Sequence, residues 1–180
     1  GGMLDREIDL IAPDPGSDTS TYQDLTEQLI LEDEVDVLVG VLSSASREAV
    51  RPIIQDNEQL YFYFMNYEGL LCDTYNYYSG PEATQLVQPL VQYMTEEFGP
   101  ECYIVSADYV FGQISSRWGK YFLDQEGGEV VGEKFVPQDE SEFGSIINDI
   151  QQTDPDWIMT TLVSQENISF WIQANSQGLD

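Results

Sequence analysis

The 180-residue chain contains no histidine, and only 6 Lys plus Arg stand against 33 Asp plus Glu, a formal net charge of −27. Six scattered cations cannot form the basic patch that neutralises a nucleic-acid backbone, so DNA or RNA is not expected as a partner. Without histidine, Ser44 has no imidazole base, there is no GxSxG elbow, and Lys120 and Lys134 sit in no SxxK pattern, which argues against acyl-transfer chemistry. The two cysteines, Cys72 and Cys102, are too few for a disulfide framework and match no CxxC spacing, so a zinc site is excluded as well. Neither GxGxxG nor GxxxxGK[ST] occurs, and no nucleotide cofactor is indicated. DPGSD (14–18) lacks the glycine and terminal Glu of a calcium loop and reads as a turn. Apolar runs fall far short of the roughly 20 residues of a membrane span, and GGMLDREIDL has neither the basic start nor the apolar run of a signal peptide. No cofactor, metal or catalytic residue is expected.

What the chain does have is a core-forming composition, 42% hydrophobic, sufficient for one ordinary domain or two small lobes. Its acidic residues are spread along the whole length, which reads as the solvated anionic shell of a halophilic protein. A nucleic-acid mimic and a weak divalent-cation binder are the rival readings of that surface.

Short β-rich runs alternate with amphipathic helical runs. Strands are expected at 6–12, 35–41, 60–64, 76–80, 101–107, 129–137 and 156–163, and helices at 18–33, 46–57, 81–99, 112–126, 141–153 and 165–176. A Ser or Thr is expected near the first helix cap, and Pro52 is expected to kink or break the second helix. VDVLVGV (35–41) has the continuous apolar character of a strand buried on both faces. The alternation predicts an α/β fold with parallel sheets flanked by helices.

Ligands of such sheets sit beyond the carboxyl ends of the strands. Four exits therefore hold the candidate residues: VLSSASR, MNYEGLLCDT, SADYVFG and TTLVSQEN, the last containing Thr161. Ser43, Ser44 and Ser46 lie in a turn entering a helix, where a hydroxyl either caps the helix or meets a ligand oxygen. Residues 61–80 hold six of the eleven tyrosines. Alternation in YFYF sends Tyr61 and Tyr63 to one side and Phe62 and Phe64 to the other. With Tyr67, Tyr109 and Phe111, the aromatic set can either cover the sheet ends or box a small neutral ligand.

Taken in order, VGVLSSASREAVRP, YFYFMNYEGLLCDTYNYYSG, VSADYVFG, GGEVVGEKFVPQDESEF and PDWIMTTL resemble the urea and short-chain-amide branch of the type I periplasmic-binding-protein superfamily. That branch comprises substrate-binding proteins of ABC transporters and a related amide sensor controlling an amidase operon. The resemblance covers the whole chain and implies a two-lobed fold, incomplete at both ends. It places residues 1–80 in lobe 1 and 81–180 in lobe 2, with SGPEAT (79–84) as a hinge crossing.

It further implies that Ser44 hydrogen-bonds the amide, Tyr63 and Asn66 line the pocket, Tyr109 closes as an aromatic lid, and Phe111 replaces what is often a second tyrosine. Met65 and Asn66 depart from the amide sensor's residues at those positions. An amide or urea needs donors for its C=O, from the Ser44 turn, and acceptors for its NH2, from Asn66 or Glu68. An amino acid would instead set its ammonium against Glu68 or Asp108. The implied partners are a small solute and the membrane permease of an ABC transporter, with the chain outside the cell or on its surface. A cytoplasmic amide sensor is the alternative.

Overall fold

The computed structural model describes Gly2 and residues 5–179. Helices and strands alternate in the order α1 (Thr19–Leu31), β1 (Leu38–Val39), α2 (Ser44–Asp56), β2 (Tyr61–Tyr63), β3 (Asn76–Tyr78), α3 (Ala83–Glu97), β4 (Glu101–Ala107), α4 (Val110–Gln125), β5 (Glu129–Val136), α5 (Gly144–Thr153), β6 (Trp157–Thr161) and α6 (Ser164–Ser176). The strands form two parallel three-stranded sheets, ordered β1-β2-β3 and β5-β4-β6. This is the α/β architecture with parallel sheets that the alternation predicts. Contacts divide the chain into two units, one of residues 1–65 and 71–79, the other of residues 66–70 and 80–180.

In the first unit, β2 buries its two tyrosines and exposes Phe62 between them, and Phe64 just beyond the strand is exposed as well. Tyr61 and Tyr63 are 2% and 1% exposed, and each hydroxyl donates to a backbone carbonyl, Gly40 at 2.7 Å and Leu42 at 3.1 Å. The phenolic oxygens can enter this core because those carbonyls accept from them. Phe62 instead stacks on Tyr77 at the surface. Helix α2 lays Val50 and Ile54 on this core, and it stays continuous through Pro52, so the expected break is absent. The buried face on both sides of Pro52 holds the two halves in one helix.

The second unit is organised around β4, whose alternate residues feed two cores. Tyr103 and Val105 pack with Phe143, Ile147, Ile150 and Phe170 against α5 and α6. Cys102 and Ile104 pack with Val91, Phe122, Leu123, Trp157 and Met159 against α3 and α4. A central parallel strand covered by helices on both faces is the physical origin of its unbroken apolar sequence.

Three expectations are corrected. Residues 6–12 form no strand beyond an isolated bridge at Arg6, and Ile8 and Leu10 stand exposed. Alternation supplies extended propensity, but a strand needs a ladder, and none of the described sheets extends one to this segment. Gly1, Met3 and Leu4, ahead of this stretch, lie outside the described residues. The run at 35–41 is not a doubly buried strand: only Leu38–Val39 is paired, at a sheet edge, and Val39 is 66% exposed. Helix α5 starts at Gly144 rather than 141; in the segment ahead of it the N–H groups of Ser141 and Glu142 donate to the Glu140 carboxylate and that of Phe143 to Gln173. The cap of α1 is Asp18, whose carboxyl is held at about 2 by donors from Ser20 and Thr21.

Candidate functional site

The loop after β2 is drawn into the second unit. Gly69 and Leu70 both adopt positive φ, 73° and 61°, which reverses the chain within two residues; glycine takes such a value without strain. Tyr67 donates its N–H to the Pro81 carbonyl at 3.1 Å, and the Trp118 indole N–H donates to the Glu68 carbonyl at 2.7 Å. Asn66, Tyr67 and Glu68 are thereby fixed beside α3 and α4. Glu68 is 5% exposed, the one acidic side chain among the described residues that is buried.

These three residues form one wall of a cavity of about 200 Å³ within the second unit. Leu86, Val87 and Leu90 of α3 form another. Phe111, Ser115 and Trp118 enter from α4, spaced i, i+4 and i+7 so that they share one helix face. Met159, Thr160 and Thr161 close it from β6. Five of the residues singled out from sequence, Asn66, Tyr67, Glu68, Phe111 and Thr161, thus meet around one space.

The sheet end beneath the cavity is polar in an unusual way. Ser106 on β4 and Thr161 on β6 are register partners in a parallel pair, so their side chains leave the same sheet face. Both are buried, and neither Ser106 Oγ nor Thr161 Oγ1 has a hydrogen-bond partner among the described residues. The strand order β5-β4-β6 places the crossover to β5 on one side of β4 and that to β6 on the other, the topology that opens a crevice at the carboxyl end of the central strand.

The remaining candidates are distributed otherwise. Tyr109 is the N-cap residue of α4, extended at φ −151°, with its ring 6.2 Å from that of Phe111. Asp108 accepts from Gln113 Nε2 at 2.9 Å, outside the cavity wall. Ser44, Ser46 and Tyr63 belong to the first unit. There Ser43, not Ser44, caps α2: its Oγ accepts the Ser46 N–H at 3.1 Å and lies 2.9 Å from Ser46 Oγ. Ser44 opens the first helical turn and is buried, and Tyr63 sits in the core under the Arg47 guanidinium, 5.1 Å from its ring centre.

A second polar cluster in the first unit is structural. Asp73 receives Arg51 through both Nε and Nη2 at 3.0 Å, Tyr78 OH at 2.8 Å and Asn76 Nδ2 at 3.1 Å, while Arg51 also reaches Glu48. Burial pushes the Asp73 carboxyl up, but the Arg51 and Tyr78 bonds together with the Arg51 charge outweigh it, and the net shift is downward. Cys72 and Cys102 are free thiols; burial pushes Cys102 up to about 12, which leaves it protonated and inert. Among the described residues no group of three His, Cys, Asp or Glu could hold a metal ion, and no helix is long and apolar enough to cross a membrane.

Sequence reading alone overlooked Trp118, Ser115, Met159 and the α3 wall. The i, i+4, i+7 stripe Phe111–Ser115–Trp118 was the available signal; nothing in the sequence announces which strand faces it.

A family profile described as a periplasmic binding protein domain matches residues 1–180. Among solved structures, the chain is similar to an ABC transporter substrate-binding protein from Sphaerobacter thermophilus, with 25% identity and a TM-score of 0.84 over 97% of this chain and 50% of that one. A leucine binding protein from Thermotoga maritima matches with 18% identity and a TM-score of 0.88 over 97% and 51%. A solute binding protein of an ABC transporter from Rhodopseudomonas palustris, in complex with 3,4-dihydroxybenzoic acid, matches with 18% identity and a TM-score of 0.85 over 97% and 48%. The chain spans about half the length of these solved relatives.

Proposed function

Because this chain belongs to the periplasmic binding protein domain family, we propose that it is the solute-binding component of an ABC uptake transporter and captures a small neutral amide such as urea or a short-chain amide. The observation that carries this reading is the cavity that gathers Asn66, Tyr67, Glu68, Phe111 and Thr161. At about 200 Å³ it lies below the roughly 300–1,000 Å³ of sites for drug-sized ligands, which suits a solute of a few heavy atoms. The Asn66 amide and Thr161 hydroxyl each both donate and accept, and Glu68 accepts, the set that a neutral planar amide requires. No histidine is present to run hydrolysis on the bound amide. In this role the two compact units are the two lobes of the family, the protein works outside the cytoplasmic membrane or attached to the cell surface, and its partner is the permease of the transporter.

The amide resemblance of the YEG and SADY segments supports the ligand class. The buried Glu68 favours a second reading, an amino acid whose ammonium meets that carboxylate. Titration calorimetry with urea, acetamide and leucine separates the two. Heat from an amide, with no ammonia released on incubation, is the expected result; heat from leucine alone overturns the amide.

The anionic surface concerns the medium in which the protein works. Apart from the buried Glu68 and the few carboxylates paired with Arg or Lys, such as Asp73, Glu133 and Asp149, the described carboxylates have no cation beside them and repel one another through water. Salt shortens the range of that repulsion to about 3 Å at 1 M. The melting temperature is expected to climb as NaCl is raised from dilute buffer to molar concentration, and a flat response in a scanning fluorimetry series would overturn the halophilic reading.

A further inference from the structure

Strand β1 reaches helix α2 through a turn that its own sequence resists. The Gly40 N–H still bonds the Phe62 carbonyl of β2 at 3.2 Å, and Ser43 already caps α2, so Val41 and Leu42 alone carry the chain from sheet to helix. Val41 does so at φ 48°, in the left-handed region. A branched Cβ crowds the backbone there, and glycine or asparagine is the residue that adopts such a conformation readily. A valine persists in it only where the surroundings hold it.

Two buried side chains of β2 provide that hold. Tyr61 OH donates to the Gly40 carbonyl at 2.7 Å and Tyr63 OH to the Leu42 carbonyl at 3.1 Å, so each carbonyl flanking Val41 is gripped by a phenol whose ring is fixed in the core. The strain of one residue in this region and the net contribution of two neutral hydrogen bonds are of like size, so the turn is balanced on those bonds. We propose that Tyr61 and Tyr63 are positioning residues: their hydroxyls latch the strained turn at 40–42, the turn sets the direction in which α2 leaves the sheet, and Ser44 and Ser46 stand where it puts them. With a hydroxyl removed, Val41 relaxes to negative φ and the first turn of α2 loosens with it. A tyrosine that only filled the core would act through packing, and on the whole unit.

Amide hydrogen exchange of the full chain reads the head of α2 through two N–H groups bonded to Ser43, that of Ser46 to its Oγ at 3.1 Å and that of Arg47 to its carbonyl at 2.9 Å. Tyr61→Phe is expected to speed the exchange of both about tenfold, the equivalent of one hydrogen bond. The Asn57 N–H at the far end of α2, bonded to the Ile53 carbonyl at 3.1 Å, is expected to keep its rate. Adding Val41→Gly, which enters the left-handed region without a branched side chain, is expected to return the Ser46 and Arg47 rates to within about twofold of the wild type, because the turn then holds without the Tyr61 bond. Tyr63→Phe is the second variant, expected to act in the same direction with a smaller effect, its bond being the longer. A double variant that exchanges as fast as Tyr61→Phe alone, or an Asn57 N–H that accelerates in step with Ser46, overturns the latch and leaves both tyrosines as core residues. Unchanged rates in both Tyr61→Phe and Tyr63→Phe overturn it as well.

Discussion

Gly112→Ala is expected to destabilise the second unit by about 3 kcal/mol, the cost of forcing an atom into a close-packed site, and to lower its melting temperature by roughly 6–12 °C at the usual 2–4 °C per kcal/mol. Gly112 lies in the first turn of α4, where that turn folds back onto the end of β4. A Cβ there would stand 2.0 Å from the Ala107 carbonyl oxygen and 2.8 Å from its carbonyl carbon. Backbone atoms cannot swing aside as a flexible side chain can. Either α4 lifts from the strand end or the strand end moves, and both carry Tyr109 and Phe111 with them. Affinity for the amide is therefore expected to fall along with stability. Helix propensity alone predicts the reverse, a gain of roughly 0.5–1 kcal/mol for replacing a helical glycine with alanine. Gly144→Ala is the control, since its Cβ would meet nothing within 4 Å, and it is expected to be neutral or mildly stabilising. A Gly112→Ala protein as stable as Gly144→Ala would overturn the account of this turn.

Asp73→Asn is expected to cost the first unit about 2 kcal/mol near neutral pH, less than the roughly 3–5 kcal/mol of breaking a fully buried pair, because Arg51 is 25% exposed and keeps Glu48. The substitution removes the charge that four donors converge on and turns an amide NH2 toward them. The effect has a pH signature. Asp73 titrates below its ordinary value in the folded state, so its contribution is complete above the unfolded carboxyl value of about 3.9. It is lost as pH falls further, through the depressed folded value. Urea melts at a series of pH values should show a constant gap between wild type and variant from neutrality down to about pH 5, closing as the medium becomes strongly acid. A gap that stays open at the lowest pH, or none at neutrality, would show that the Arg51–Asp73 contact does not hold α2 to β3.

The alternating order of elements was legible because periodicity is local. The doubly apolar ECYIVSA and the amphipathic stripe of α3 signal burial wherever the chain goes. The run VDVLVGV carried the same local signal and misled: its residues prefer an extended backbone, but only two of them find a ladder partner, at an edge. REIDLIA failed for the same reason, since its alternation is real and no described sheet takes it up. The start of α5 lies three residues beyond the expected one, and the segment before it is held partly by a bond that no local pattern shows, from the Phe143 N–H to the Gln173 side chain 30 residues away.

The candidate site divides along the same line. MNYEG and SADYVFG mark themselves as strand exits, and their aromatic and polar residues identify a place where a small solute could be recognised. That Trp118 would pin the Glu68 carbonyl, that Ser106 and Thr161 would lie side by side with unsatisfied hydroxyls, and that Tyr63 would place its hydroxyl in the core follow from pairings 21 to 55 residues apart, which no local pattern encodes.

The sequence by itself determined the fold class and the family, because these rest on short-range periodicity and motif order. Only the tertiary structure decided which strands are central, which serine caps α2 and which side chains enclose the cavity, because each of those is set by the neighbour a residue meets in space.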